Sequence, residues 1–387
     1  MSPMKKKGLV TAIVCAIMAL VAYFAWQFVF FEYETNTYTT TADQLFTIDH
    51  LTKLLPLLII GLLTAVGIVA CIVVRNTIMR RDTQRGPFVV PRASASKGRV
   101  RGRRPSAFMV VRWICMVGFF VLTVFGGVLL GVRYSWISVP VLSCPANMSQ
   151  LTEASCYYVA HLEELAGLPI MGIVVFVVST VGFVVVFGRV LCGFVCPMGL
   201  AQDVMHKIRQ ATKVEGIAMT ERMYQALVPI RWVMLLLMIG LSFVGGNFCN
   251  FCPAIALTPV AAGLSVSLYA SGFLMVFVLI ASFFKRRFFC TICPLGYLMG
   301  LAHRVQPFRI TKDCTACTEC GACYEACPMG IKQLYTEREK TDVTDVSCIM
   351  CGECVRCCPE DRALSLTFLG KGVYVSKRSR VVRGYGR

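Results

Sequence analysis

Long apolar runs, separated by polar and charged segments, occupy most of residues 8–284. Six of these runs can cross the roughly 30 Å hydrocarbon core of a membrane, for which a helix needs about 20 residues. Backbone groups in lipid must bond within their own segment, so we predict that each run is a helix. The six predicted spans are Gly8–Phe31, Leu54–Val74, Phe108–Val132, Leu168–Phe187, Val228–Gly246 and Gly263–Phe284.

Composition and charge support a membrane protein. Apolar residues make up 56% of the chain and charged residues only 16%, against about 25% in soluble domains. The formal net charge is +18, and all Lys and Arg except Lys53 and Arg133 lie inside if the N-terminus is cytoplasmic. Positive charge marks the inner side of membrane proteins. The excess is therefore explained by topology and anionic lipid at the inner face, and we expect no nucleic-acid partner.

The membrane half contains an internal repeat. Cys196-Pro197-Met198-Gly199 follows the fourth span and Cys293-Pro294-Leu295-Gly296 follows the sixth. An Arg-Trp pair opens both the third and the fifth span. Both copies run out and back in the same sense, so we expect an axis along the membrane normal to relate them.

Two cysteine runs near the C-terminus carry the strongest chemical signal. They read Cys317-x2-Cys320-x2-Cys323-x3-Cys327-Pro328 and Cys348-x2-Cys351-x2-Cys354-x3-Cys358-Pro359. Thiolate sets of this kind bind Fe–S clusters or zinc. Structural zinc, disulfides and a register shifted to Cys314 are the alternatives, and Cys357 is left over.

These runs resemble bacterial two-[4Fe–4S] ferredoxins over about residues 307–369. The resemblance implies that three cysteines of each run and the fourth cysteine of the other run hold one cluster. Cluster one is then expected on Cys317, Cys320, Cys323 and Cys358, and cluster two on Cys348, Cys351, Cys354 and Cys327.

Two further cysteine pairs follow the fourth and sixth spans, at the predicted inner face. They read Arg189-x2-Cys192-x3-Cys196-Pro197 and Arg287-x2-Cys290-x2-Cys293-Pro294. The repeat axis brings the pairs toward each other, and a nearby Arg favours the thiolate form of cysteine. We expect a shared Fe–S centre. Redox-active dithiols, another metal and inert cysteines remain open, since the two spacings differ.

Histidines and outer cysteines provide weaker signals. His206 and His303 each lie ten residues beyond a Cys-Pro cysteine. They are interpreted as interfacial polar residues, as a quinone-binding or proton-relay pair, or as haem ligands. Disulfides are the simplest interpretation of cysteines in an oxidising compartment, with a metal or cluster site as the alternative. The outer cysteines are Cys144, Cys156, Cys249 and Cys252.

The segments Gly193–Gly199 and Cys290–Gly296, together with the C-terminal runs, resemble the NapH/NosR-type membrane polyferredoxins over about residues 108–369. The resemblance implies a subunit that relays electrons between the quinone pool, or a membrane redox partner, and other redox proteins, and it leaves open a role as a quinol dehydrogenase component. A metal-handling or cofactor-maturation reductase of the CcoG type is the alternative. The second pair departs from the family pattern, because it reads CxxCP and not CxxxCP.

The expected fold is a polytopic α-helical membrane protein with both termini inside, followed by an α+β two-[4Fe–4S] ferredoxin domain. We expect this ferredoxin domain in the cytoplasm, beneath the inner membrane of a bacterium. The predicted domains are 1–74 (two helices), 75–107 (basic linker), 108–227 (repeat one), 228–306 (repeat two), 307–369 (ferredoxin) and 370–387 (basic tail).

Overall fold

A helical half precedes a small lobe of mixed α and β structure. The computed structural model describes residues 55–78, 100–103, 106–130, 134–139, 152–154, 167, 169–212, 214, 221–243, 252–254, 257–261, 269–377 and 381–383. The helices are α1 (Leu55–Ile78), α2 (Ala107–Leu130), α3 (Ile170–Phe187), α4 (Val190–Phe194), α5 (Pro197–Ala211), α6 (Glu221–Phe243), α7 (Thr258–Ala261), α8 (Tyr269–Phe284), α9 (Phe288–Ile292), α10 (Pro294–Leu301), α11 (Ala322–Ala326), α12 (Gln333–Thr336) and α13 (Glu353–Cys357). The strands are β1 (Val100–Arg103), β2 (Tyr134–Val139), β3 (Thr152–Ala154), β4 (Phe308–Lys312), β5 (Leu364–Phe368), β6 (Lys371–Val375) and β7 (Val381–Arg383).

Five of the six predicted spans fall on described helices, and the first, Gly8–Phe31, lies outside the described residues. By length and composition, Ala107–Gly126 of α2 and Ile170–Phe187 of α3 are each able to cross a membrane. Ile59–Val73 and Ser271–Phe284 are shorter apolar helical stretches. The helical character of these runs therefore agrees with their sequence, while a crossing number of six stays a prediction.

The internal repeat is visible in the backbone. In repeat one a long helix, α3, is followed by a tight turn, the five-residue α4, and α5. In repeat two α8, α9 and α10 follow the same path. A Cys-Pro pair starts both α5 and α10, with the cysteine as N-cap and proline at the first helical position. Proline is favoured there because its missing N–H has no partner to lose.

The one-residue difference between the two cysteine spacings is accommodated in the helical turn that precedes each Cys-Pro pair. In repeat two the Cys293 amide donates to the Phe289 carbonyl, four residues back. In repeat one the Cys196 amide donates to the Leu191 carbonyl, five residues back, at 3.0 Å. A wider turn of this kind accommodates one extra residue without ending the local helix. The CxxxCP and CxxCP sequences therefore present their cysteines from equivalent positions.

The C-terminal lobe is built on an antiparallel sheet of order β4-β5-β6. Helices α11 and α13, which carry cysteines from the two runs, contact each other. Strand β6 lies beyond residue 369, so the sheet continues past the predicted end of the domain. The basic linker and basic tail meet in the antiparallel pair of β1 and β7.

One buried core joins the lobe to repeat one. Leu191 and Val195 belong to the same hydrophobic cluster as Ile349 and Val355 of the lobe. A Cβ on Gly193 would lie 2.3 Å from the Ile349 carbonyl oxygen, so only glycine permits this approach. The core therefore fixes the second cysteine run against α4.

Candidate iron–sulfur centres

The cysteines of the two repeats lie together. We call Cys192, Cys196, Cys290 and Cys293 the repeat cysteines. The thiols of Cys196 and Cys293 both interact electrostatically with Cys192 and Cys290. The structure thus brings together the two pairs that the sequence placed in separate copies.

Each Cys-Pro cysteine caps its helix through sulfur. The Gly296 amide donates to Cys293 Sγ at 3.4 Å, and the Gly199 backbone bonds to Cys196 in the same way. Both glycines also lie against an arginine of the opposite repeat. A Cβ on Gly199 would lie 2.2 Å from Arg287 Nη1. In the repeated Cys-Pro-x-Gly sequence, the cysteine therefore caps the helix and the glycine lets an arginine of the opposite repeat approach closely.

Two arginines each donate a hydrogen bond to a backbone carbonyl of the opposite repeat. Arg189 Nη2 donates to the Cys290 carbonyl at 3.0 Å, and Arg287 Nη1 donates to the Cys192 carbonyl at 2.7 Å. Each arginine also bonds to the thiol three residues ahead in its own repeat. Neither cysteine loop is therefore complete without the other copy.

A buried carboxylate gathers the cationic groups. Asp203 of α5 pairs with Arg112 and Arg287 through Oδ2, and with Arg286 through Oδ1 at 2.9 Å. Burial alone would raise the pKa of Asp203, but the three guanidinium groups hold it well below its ordinary value. Arg286 also pairs with Glu353 of the lobe at 3.1 Å. This ion cluster ties α2, α5 and the ferredoxin lobe to one point.

The neighbouring arginines favour the thiolate form of the repeat cysteines, as expected, but burial opposes it more strongly wherever a pKa shift is resolved. Burial raises the pKa of Cys192, although Arg189 acts in the opposite direction. Burial likewise raises the pKa of Cys196, and it raises that of Cys293 to about 12. Desolvation of the charged form outweighs the neighbouring charge. Metal ligation needs the thiolate, so loading these sites releases protons.

An Fe–S cluster fits the repeat cysteines. Nε of Arg189 and Nε of Arg287 are buried and have no hydrogen-bond partner among the described residues. Buried polar atoms are normally paired, so each points to an acceptor that protein atoms do not supply. Four neighbouring thiols, one buried and three half-buried, together with surplus buried arginine, suit an anionic group held by sulfur.

The cluster-one quartet surrounds a single cavity. About 370 Å³ of space, part of it open to solvent, is lined by Cys317, Cys320, Cys323 and Cys358. Burial raises the pKa of Cys323 to about 12 and that of Cys358 to about 11, with further contributions from the other thiols of the quartet. The structure therefore places the fourth cysteine of the second run with the first three of the first run. The cavity suits a cluster with four thiolate ligands.

The cluster-two quartet is more deeply enclosed. Cys354 interacts electrostatically with Cys351, Cys348 and Cys327, and burial raises its pKa well above the ordinary value. Burial also raises the pKa of Cys327. The second run thus receives its fourth cysteine from the first.

Both runs share a turn around their second cysteine. The residues before it, Glu319 and Met350, have φ of 54° and 52°. The residues after it, Gly321 and Gly352, have φ of 73° and 71°. Left-handed residues of this kind turn successive backbone N–H groups into a concavity that binds anions, as in many Fe–S sites.

The leftover cysteines lie outside both quartets. Cys357 is buried and its thiol donates to the Ala322 carbonyl at 3.1 Å. Cys314 is half-buried, with Sγ 3.8 Å from the Lys340 carbonyl oxygen. Among the described residues, no group of three or more His, Cys, Asp or Glu is gathered for a single metal ion.

The two histidines have different surroundings. His206 lies on α5 beside Arg209, with Nδ1 3.1 Å from Nη2. Burial lowers its pKa to about 4, with further lowering by Arg286 and Arg209. His303 lies in a short 3-10 turn after α10, where Nδ1 is 3.0 Å from the Gly300 carbonyl oxygen. Their role in quinone binding or proton relay stays a prediction.

The outer cysteines are mostly outside the described residues. Cys252 is half-buried after α6, whereas Cys144, Cys156 and Cys249 are not described. The interpretations as disulfides or as a metal site stay predictions.

Sequence reasoning missed Asp203 and its ion pairs with the arginines. The signal was present, since Arg112 opens the repeat and an acid follows the Cys-Pro pair in one copy only. The equivalent position in repeat two is Gly300. An ionisable residue in one repeat, with no ionisable residue at the equivalent position of the other repeat, is a candidate for a contact that only one copy makes.

Known families match both halves of the site. Residues 168–215 and 267–312 match the 4Fe-4S binding domain, and residues 316–363 match the 4Fe-4S dicluster domain. The first pair contains the repeat cysteines, and the last segment contains both ferredoxin quartets. The prediction of ferredoxin-type 4Fe-4S domains is confirmed.

Similar proteins come from archaea and bacteria. An uncharacterised protein of Methanocaldococcus jannaschii, MJ0750, is 34% identical over 44% of this chain and 70% of its own length. The methylamine utilization ferredoxin-type protein MauN of Paracoccus denitrificans is 27% identical over 44% of this chain and 60% of its own length. The regulatory protein NosR of Stutzerimonas stutzeri is 24% identical over 39% of this chain and 21% of its own length. The matched region covers less than two thirds of the last two.

No solved structure matches the chain. The two matched domain families, the NosR, NirI and MauN relatives and the cysteine geometry agree. The chain therefore belongs to the 4Fe-4S ferredoxin-type electron-transport proteins.

Proposed function

We propose that this chain carries electrons through three 4Fe-4S centres in series, two in the ferredoxin lobe and one shared by the repeats. The observation that carries the proposal is continuity of packing. Cys192 belongs to the same buried cluster as Cys351 and Cys354. We therefore place cluster two beside the shared centre, with the more open cluster-one cavity as the outer site.

Direct contacts of the repeats with the two segments that supply cluster-two ligands support this placement. Arg189 Nη1 donates to the Val346 carbonyl at 3.2 Å, two residues before Cys348. Lys285 Nζ donates to the Pro328 carbonyl at 2.8 Å, directly after Cys327. The repeats thus hold both segments that supply ligands to cluster two.

The proposed location is the inner membrane of a bacterium, with six crossings and the lobe in the cytoplasm. Exposed apolar side chains on α2 and α3 support a lipid-facing surface. They include Val110, Val111, Ile114, Val117, Val174, Val177, Val178 and Val181. The basic linker and tail then lie beside anionic lipid.

The proposed partners are a quinone in the membrane and redox subunits on either side, as in a NapH-like relay. The chain supplies the cluster ligands, excludes water from the shared centre and surrounds it with cationic donors. A 4Fe-4S cluster supplies one-electron chemistry when bound, and its potential follows local charge and hydrogen bonding to sulfur. His206 and His303 are the proposed polar groups for a quinone.

The test compares cysteine variants of anaerobically purified protein. Cys192→Ser and Cys290→Ser should each remove one of three Fe–S signals from low-temperature EPR spectra, with a matching loss of iron. Both ferredoxin signals should persist, because the quartets lie in the separate lobe. Cys115→Ser is the matched control, since this half-buried α2 cysteine belongs to no quartet. Wild-type iron and spectra in both variants would contradict the shared centre.

A further inference from the structure

The exchanged arginines carry more charge than their protein partners balance. Arg287 shares the single carboxylate of Asp203 with Arg112 and Arg286. Arg189 has no carboxylate within ion-pair distance among the described residues, and its Nη groups donate to the carbonyls of Cys290 and Val346. Both arginines are at most 2% exposed.

The hydrogen-bond positions of the two arginines follow the repeat symmetry. Arg189 bonds to the Cys192 thiol and Arg287 lies 3.9 Å from Cys290 Sγ. Each therefore reaches one sulfur of its own copy and one cysteine carbonyl of the other copy. Their two Nε atoms, buried and unpartnered among the described residues, complete the same pattern.

We propose that Arg189 and Arg287 are positioning residues that raise the reduction potential of the shared centre. The inference rests on the proposed function, since it requires a cluster on the repeat cysteines. Reduction adds one negative charge to a group that is already anionic. Fixed cations and N–H donors in a dry site stabilise the more negative state, so they favour the reduced form.

The surroundings of the cluster-one quartet differ from this arrangement. Lys312 acts on Cys323 of cluster one, but its Nζ already donates to the carbonyls of Leu334 and Glu337. No arginine is prominent among the charges acting on Cys323 or Cys358. The arginine pair thus distinguishes the shared centre from cluster one.

The experiment is a potentiometric EPR titration of the full-length protein in detergent. Arg189→Gln removes the charge and the fork of donors. We expect the equilibrium constant for reduction of the shared centre to fall at least tenfold. For one electron, this lowers its midpoint potential by about 59 mV or more. The ferredoxin signals should keep their potentials.

Arg189→Lys keeps the charge but loses the planar fork that reaches two carbonyls. Its potential should fall between those of the wild type and Arg189→Gln. If Arg189→Gln loses the centre altogether, a lowered potential in Arg189→Lys still supports the proposal. Potentials equal to or above the wild-type value in every variant that keeps the centre would overturn it.

Arg231→Gln is the matched control. Arg231 is also buried, but it lies over the Tyr297 ring at 4.3 Å and is not among the main charges acting on Cys192 or Cys293. Its removal should leave the potential unchanged, and an equal fall would attribute the effect to buried charge in general and overturn the assignment. A wild-type protein without a third signal would instead contradict the proposed function itself.

Discussion

Repeat one and repeat two follow the same backbone path but use one equivalent position in opposite ways. Seven residues after the Cys-Pro cysteine, repeat one has Asp203 and repeat two has Gly300. Asp203 gathers three arginines, whereas Gly300 leaves room for the Val346 carbonyl, which would lie 2.1 Å from an added Cβ. One copy therefore anchors charge, and the other receives the ferredoxin lobe.

The arginines near the start of the two repeats, Arg112 and Arg231, make different contacts. Arg112 Nε donates to the Gly193 carbonyl at 3.0 Å, and its guanidinium pairs with Asp203. Arg231 has the Tyr297 ring beneath its guanidinium group and Trp232 beside that ring. A buried cation without an acid in its own copy is thus stabilised by an aromatic face. Both copies have this arginine, but the described contacts that it makes differ.

The largest expected effect comes from removing the anchor of repeat one. Asp203→Ala leaves the buried Arg112 and Arg287 and the partly buried Arg286 without their shared carboxylate. Loss of one member of a buried ion cluster costs about 3–5 kcal/mol, so the thermal midpoint in detergent should fall sharply. Arg231→Leu changes the corresponding feature of repeat two and should cost less, about 0.5–2 kcal/mol. Equal losses would show that the two copies are not specialised.

A smaller loss of stability is expected at Gly300, where repeat two contacts the ferredoxin lobe. Gly300→Ala places a methyl group against the Val346 carbonyl and 3.0 Å from Arg189 Cδ. Overpacking of this kind costs about 1–3 kcal/mol. Hydrogen exchange at residues 346–351 should accelerate, because the lobe loses its close approach. Gly182→Ala is the control, since its Cβ meets nothing within 4 Å. Unchanged exchange would argue against a docking role for Gly300.

The smallest effect concerns His206, whose pKa of about 4 lies below the ordinary value of 6.5. The unfolded chain binds the proton more tightly, so this group makes stability fall as pH drops from about 6.5 toward 4. The charged groups that face it are Arg286, Arg209, Asp203 and Glu353. His206→Gln should reduce the loss of thermal stability between pH 7.5 and pH 5. An identical pH dependence in the variant would contradict the lowered pKa.

Local cysteine spacing predicted much of the candidate site. The runs around Cys317 and Cys348 place three ligands within one turn region, and their fourth cysteines cross because α11 and α13 contact each other. The repeat predicted that the CxxxCP and CxxCP pairs meet. Both inferences depend on short segments whose geometry follows from neighbouring residues.

Long-range electrostatics were less accessible from the sequence. Arg112 and Asp203 are 91 residues apart, and no local pattern pairs them. The sequence indicated that nearby arginines favour the thiolate form, but it did not show the burial that outweighs them. The sequence also left β6 outside the ferredoxin domain, since its pairing with β5 extends beyond the last cysteine run. The ion pair, the burial of the thiols and the position of β6 all depend on packing between segments that are distant in the sequence.

The exchanged donors of Arg189 and Arg287 have a consequence for the origin of this architecture. Each cysteine loop takes a backbone bond from the opposite copy, so a polypeptide with one copy has an incomplete loop. Two such polypeptides satisfy both loops by associating about a twofold axis, each lending its guanidinium to its twin. Within one chain the two halves need not carry identical residues, and Asp203 and Gly300 are one pair of equivalent positions that differ.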